Sequence, residues 1–244
     1  MTTGGLSAHL SRVRRLPPDY FWHLHRYRLA ARAVPADART LLDFGCGEGG
    51  FIRFLLAAPP CAARRLFAYD EDPAGREHLR PELSSGRATW LAAPGDRANA
   101  FDFVSALDVL EHCADDAAAA RRLRDLVRPG GVLFVTVPAF EALRSGWDDD
   151  VGHVRRYTPA SLARVLEDAG LDVENCSCFF SYLLPPALWR ARGSSKGDPA
   201  APFPEVSPIT NSALKALGRL EECWLGRFRL PLGSSVFARA RRPL

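Results

Sequence analysis

The chain has 244 residues, 47% hydrophobic and 25% charged, with a formal net charge of +4. That much apolar material supports a sizeable core and excludes a wholly disordered chain, while so mild a charge gives no reason to expect nucleic acid as a partner. The six cysteines, Cys46, Cys61, Cys113, Cys176, Cys178 and Cys223, form no C-x-x-C pair, so no zinc or thioredoxin-like site is signalled and no metal is expected.

Residues 1–18 read as an arm ending at Pro17-Pro18, without the apolar core of a signal peptide. Nothing in the chain approaches the ~20 apolar residues of a membrane span, so a reduced, cytoplasmic protein is the expectation. A helix follows over "DYFWHLHRYRLAARAV", with Asp19 as N-cap and Phe21, Leu24, Leu29 and Ala33 along one face. Short apolar runs then alternate with helices. Strands are expected at 40–44, 65–70, 88–93, within 101–110 and at 132–140. Helices are expected from 49 to a stop at Pro59, near 73–83, and from 113 to a stop at Pro129-Gly130-Gly131.

Beyond residue 140 the rhythm changes. "YTPASLARVLEDAGL" is a helix with Thr158 as N-cap, Pro159 at its first position and Gly170 past its end. A strand then runs into the apolar segment "FFSYLLPPALW" (179–189). A Gly/Pro/Ser-rich loop (193–205), a helix (211–228) and an alternating strand (233–242) complete the chain. Continuous apolar strands separated by helices predict an α/β, Rossmann-like, doubly wound and mostly parallel seven-stranded sheet with helices on both faces.

The stretch "LLDFGCGEGG" (41–50) closes the first strand and opens a helix, the context of a nucleotide site. Its spacing, Asp43-x-Gly45-x-Gly47-x-Gly49, matches neither G-x-G-x-x-G nor a P-loop. An acidic residue at its head would repel a pyrophosphate and suits a cationic ligand.

These residues resemble motif I of the class I S-adenosylmethionine-dependent methyltransferases. The resemblance extends to Asp70 at the end of the second strand, to "LDVLEH" (107–112) and to "RPGGVLFVTVP" (128–138). It implies S-adenosylmethionine as cofactor, with Asp43 near its ammonium or sulfonium end and Gly45, Cys46, Gly47 and Gly49 wrapping its amino acid part. Asp70 and Glu71 are then expected at the ribose, and Leu107 and Asp108 beside the loop. Asp96 is the one acidic residue available for the adenine. Trp22 and Arg28 are expected to cover the cofactor from the first helix, which makes residues 1–36 an arm over the site and 37–244 the methyltransferase domain.

Methyl transfer is an in-line displacement that many acceptors assist by giving up a proton, and histidine is the usual base near neutral pH. His112 follows the fourth strand and His153 lies in "GHVRRYT", after the fifth; both are candidates. "GHVRRYT" is similar to a segment of a bacterial subgroup of these enzymes. Arg155, Arg156 and Tyr157 either hold the acceptor or, for the arginines, pair with Asp148-Asp149-Asp150 and fix the loop. Substrate-facing elements are expected around 139–158 and 179–230. "FFSYLLPPALW" either lines a pocket for an apolar or lipid-linked acceptor or belongs to the core. The expected function is methylation of a small molecule, with O-methylation favoured. A nicotinamide-dependent oxidoreductase and a non-catalytic methyltransferase-like partner subunit are the alternatives.

Overall fold

The computed structural model describes residues 16–17, 19–57, 64–193 and 206–244. The arm through residue 15, Pro18, Pro59 and most of the 193–205 loop lie outside these residues, as does the side chain of Asp96.

The sheet has seven strands: β1 (Thr40–Phe44), β2 (Arg65–Tyr69), β3 (Thr89–Trp90), β4 (Phe101–Leu107), β5 (Val127–Pro138), β6 (Asp172–Phe179) and β7 (Ser235–Arg241). Their order is β3-β2-β1-β4-β5-β7-β6. The pairs from β3 to β5 are parallel; β7 is inserted antiparallel between β5 and β6. This is the expected Rossmann-like α/β sheet.

Successive side chains alternate between faces and both faces are covered, so each strand feeds two cores. Leu42, Val104 and Leu133 join a core with helices α5 (Asp116–Leu126) and α7 (Pro159–Asp168). Leu41, Phe103 and Phe134 join the other, with helices α1 (Phe21–Ala33) and α2 (Gly50–Ala57). Two short helices, α3 (Ala74–His78) and α4 (Arg80–Ser84), replace the single helix expected near 73–83.

Several boundaries differ from the expectations. The helix expected to run to Pro129-Gly130-Gly131 ends at Leu126, and these three residues form the irregular entry of β5, where Val127 faces Phe101 and Val132 faces Phe103. Gly130 has φ +75° there, and a Cβ on Gly131 would lie 2.7 Å from Val127 Cγ1. The fourth strand stops at Leu107 because Asp108 adopts φ +58° and residues 110–112 form a 3₁₀ turn.

Asp19 does not cap α1. The N-cap position is Tyr20, and the Phe21 amide donates to Asn211 Oδ1 (2.8 Å) on α9 (Pro208–Leu225), while the Asp19 carboxylate pairs with Lys215. Asp148 lies in a further helix, α6 (Gly146–Val151), closed at its start by a reciprocal Ser145–Asp148 capping box. "FFSYLLPPALW" breaks at Phe180, φ +57°, into a 3₁₀ turn and helix α8 (Leu184–Gly193).

Candidate active site

Ligands in open α/β sheets bind beyond the carboxyl ends of the strands. Here a cavity of about 1240 Å³ opens there, walled by α1, by the loops after β1, β2, β4 and β5, and by the start of α8.

The glycine loop forms its floor through Gly45, Cys46 and Gly47; Gly49, expected at the cofactor, does not line the cavity, and a Cβ on it would meet the Leu79 side chain. Gly45, Gly47 and Gly49 have φ of +74°, +51° and +77°, a region that side-chain-bearing residues rarely adopt. A Cβ on Gly45 would sit 2.5 Å from Val109 Cγ2, so the bare backbone there is a packing requirement. Asp70 pins the loop: its Oδ2 accepts from the Gly47 amide (2.7 Å) and its Oδ1 from the Asp72 amide (2.9 Å). Asp70, Glu71 and Cys46 line the cavity. A carboxylate has further lone pairs, so Asp70 retains acceptor capacity for a ribose.

Asp43 is buried behind the loop and is not among the cavity-lining residues. Its Oδ1 accepts from the Ser105 hydroxyl at 2.8 Å, and burial pushes its carboxyl up to about 7.

On α1, Trp22 lines the cavity and stacks on Phe180 at 4.3 Å. Arg28 does not line it; its guanidinium lies 3.6 Å from Glu222. The residue that reaches the site is Arg26, one helical turn after Trp22, while Arg28 falls on another side of the helix. Arg26 forms an ion pair with Asp108, which also accepts from Thr136 Oγ1 (2.8 Å). These partners hold the Asp108 carboxyl below the ordinary carboxylate range despite burial, and the buried Arg26 Nε has no hydrogen-bond partner among the described residues. The i, i+4 register with Trp22 was the sequence signal for Arg26.

The opposite wall carries the titratable cluster. His153 Nδ1 lies 2.9 Å from Asp148 Oδ1 and its Nε2 3.8 Å from Glu111 Oε1. Asp148 is wholly buried and receives Arg156 Nε at 2.8 Å and a second Arg156 nitrogen at 3.1 Å, a paired contact. Although burial pushes the Asp148 carboxyl up, the hydrogen bonds from His153 and Arg156 prevail and hold it far below the ordinary range. Glu111 is fully buried with neither oxygen hydrogen-bonded among the described residues, and burial pushes its carboxyl well upward. The His112 and His153 rings meet edge to face at 4.8 Å; burial, aided by the neighbouring His153, lowers His112 to about 4.

Of the substrate candidates, only Arg156 lines the cavity, and its guanidinium is committed to Asp148 and the Ala139 carbonyl (2.8 Å). Arg155 turns to Asp116 (2.7 Å) and the Ala114 carbonyl (2.6 Å), and Tyr157 is buried with its hydroxyl donating to Asp116 (2.9 Å). Neither lines the site, so the acceptor role expected for these two is replaced by a structural one. The pairing expected with the acidic run is made by Arg156 with Asp148; Arg144 takes Asp149 (2.9 Å). Leu107, Asp108 and both histidines do line the cavity.

No metal was expected from the sequence, yet Glu111, His112 and His153 each bring a ligand atom within 4.8 Å of the others, an arrangement able to hold a divalent ion. Glu111 was not singled out from the sequence, and Asp148 was expected only as a partner of the arginines, not beside His153. An acidic residue three after Ser145 was the local sign of the capping box that sets Asp148.

A sheet in this order, with a glycine loop after its first strand and a carboxylate ending the second, defines the class I S-adenosylmethionine-dependent methyltransferases. The glycine cradle and Asp70 fit that cofactor. Comparison with known proteins agrees: a family model described as a methyltransferase domain matches residues 16–175, and the chain belongs to that family. A probable S-adenosylmethionine-dependent methyltransferase of Mycobacterium tuberculosis is 30% identical over 167 residues, 66% of this chain and 59% of the relative. A ubiquinone biosynthesis O-methyltransferase of Methylocella silvestris is 33% identical over 180 residues, 66% and 64% of the two chains. The chain thus matches about three fifths of the length of the mycobacterial relative. Among solved structures, Haemonchus contortus phosphoethanolamine N-methyltransferase 2 in complex with S-adenosylmethionine superposes with a TM-score of 0.59 at 15% identity, over 93% of this chain and 56% of that one. A chain of the Haloferax volcanii complex between the Trm112 activator and a putative methyltransferase gives 0.59 at 19% identity, over 91% of both. At those identities the structures speak for the fold alone. The family match sets the nicotinamide-dependent alternative aside.

Proposed function

We propose that the protein transfers a methyl group from S-adenosylmethionine to a hydroxyl of an apolar or aromatic small molecule, with His153 as proton acceptor. The observation that carries the reading is the single cavity shared by the glycine loop and the Glu111–His112–His153 cluster, whose remaining wall includes Trp147, Leu183, Pro186 and Ala187. When bound, S-adenosylmethionine supplies an electrophilic methyl group on a sulfonium. Gly45 and Gly47 admit it by close backbone approach, Asp70 takes ribose hydroxyls, and Trp22 and Arg26 close the site from α1.

The Asp148 carboxylate orders the His153 ring so that Nδ1 carries the proton and Nε2 is left as the basic atom, on the Glu111 side. An acceptor hydroxyl gives its proton to Nε2, and the imidazolium formed is stabilised by Asp148. His112, held near 4, is too weak a base for this step at neutral pH and acts as a neutral neighbour. Relatives named for ubiquinone biosynthesis O-methylation support a phenolic acceptor, and the apolar wall supports one that is apolar or lipid-linked.

The test is methyl transfer from labelled S-adenosylmethionine by the purified protein into a host extract, followed by fractionation. Label in organic-soluble products is expected. Label in protein or RNA would overturn the acceptor class, and cofactor binding without any transfer would favour a non-catalytic partner subunit.

A second reading is favoured by Glu111, whose buried carboxyl makes no hydrogen bond among the described residues. A divalent cation held by Glu111, His112 and His153 would take the acceptor oxygen as a ligand and lower its pKa. Chelation separates the two: activity lost on treatment with a chelator and restored by a divalent salt selects the cation, and activity indifferent to it selects His153 alone.

A further inference from the structure

Helix α9 is amphipathic twice over. Its inner face, Asn211, Gly218, Glu221, Glu222 and Leu225, is buried, and the helix packs against α1. On its outer side Ile209, Leu217, Leu220 and Trp224 recur at helical spacing and are 84%, 43%, 68% and 54% exposed. Phe228, just past the helix end, is 55% exposed and packs its ring 4.8 Å from that of Trp224. Isolated exposed apolar residues need no explanation, but four along one helix with a fifth just past its end do.

The charge around this row is one-sided. The acidic residues of α9, Glu221 and Glu222, are both buried, whereas Arg219 borders the row and Arg227 and Arg229 follow its end, all exposed. A second copy of the chain laid on this face would set arginines against arginines with no exposed carboxylate on the helix to offset them. An anionic lipid surface answers both features, taking the apolar side chains among its acyl chains and the arginines at its phosphates. Among the described residues no helix is long and apolar enough to cross a membrane, so the contact is peripheral.

The helix is tied to the cavity through its inner face. Glu221 accepts from the Phe180 amide and the Ser181 amide, each at 2.7 Å, and so holds the turn that leads into α8. Pro186 and Ala187 of α8 line the cavity, and Trp189, two residues further on, is 81% exposed. We propose that the outer face of α9 docks the protein on an anionic lipid bilayer, with α8 beside the cavity mouth.

The experiment is co-sedimentation of the full chain with vesicles of phosphatidylcholine alone and of phosphatidylcholine mixed with phosphatidylglycerol. Binding to the mixed vesicles is expected, weakened by salt, with little binding to the neutral ones. The L220S/W224S variant should partition at least ~10-fold less, with its S-adenosylmethionine affinity in calorimetry unchanged as proof of folding. Wild-type protein left in the supernatant with both vesicles overturns the proposal, as does a variant that sediments like wild type. A dimer that the variant abolishes, without vesicle binding, would assign the face to a second copy instead. The assay contains no acceptor, so its failure leaves the proposed methyl transfer standing, and failure of methyl transfer leaves the docking result intact.

Discussion

His153 Nδ1 and Asp148 Oδ1 lie 2.9 Å apart, and the carboxylate that fixes the ring is itself clamped by Arg156. The pair comes from a capping residue and a loop residue five positions on, so one short helix orients the ring of the proposed base. Asp148→Asn keeps the shape and removes the charge. It is expected to lower kcat by ~10²-fold or more, with the cofactor dissociation constant within about twofold of wild type. Wild-type turnover in this variant would return the pair to a purely structural role.

Arg26 and Asp108 form a largely buried ion pair at the cavity wall. Removing one partner of such a pair strands the other charge, at ~3 kcal/mol or more. Arg26→Met should therefore lower the unfolding free energy by about that amount in urea titrations, and R26M/D108N should recover part of it. Additive losses in the double variant would show that the two side chains are not coupled.

Gly45→Ala places a methyl group 2.5 Å from Val109 Cγ2 at a residue with φ +74°. The loop has to shift, and cofactor affinity is expected to fall by ~10-fold or more, about 1.4 kcal/mol. Because the clash is with a side chain, G45A/V109A should regain some of the affinity, the remainder being backbone strain. Calorimetry on both variants measures the two contributions.

Burial raises the Asp43 carboxyl to about 7, against roughly 3.9 in an unfolded chain. The folded state thus binds that proton more tightly. Its stabilising contribution is complete below about pH 4 and is lost as the pH rises through about 7. Asp43→Asn keeps an oxygen for Ser105 and removes the titration. Stability should fall more steeply in wild type than in the variant between those limits, the difference being on the order of 2 to 4 kcal/mol. Parallel denaturation profiles against pH would place the titration elsewhere.

What the sequence determined by itself is local or periodic. Apolar runs marked the strands because a strand covered on both faces has no polar side to show. The glycine loop was readable because three residues in a row of alternate positions must reach positive φ, and Asp70 because it directly follows the neighbouring strand. The tertiary structure decided what depends on helical phase and on distant partners. Two positions along α1 separate Arg26, which meets Asp108, from Arg28, which meets Glu222, and the outcome is fixed by the rotation at which α1 packs on the sheet and α9. In "GHVRRYT" His153, Arg155, Arg156 and Tyr157 all suggested a role at the site, yet Arg155 and Tyr157 turn to Asp116 while His153 turns to the cavity, because the bridge between Ala139 and Tyr157 sets the direction of the loop. Glu111 could not be singled out from its neighbours, since nothing local distinguishes a carboxylate facing solvent from one enclosed beside two histidines. Only the packing of chain segments some forty residues apart makes that enclosure and, with it, the chemistry of the site.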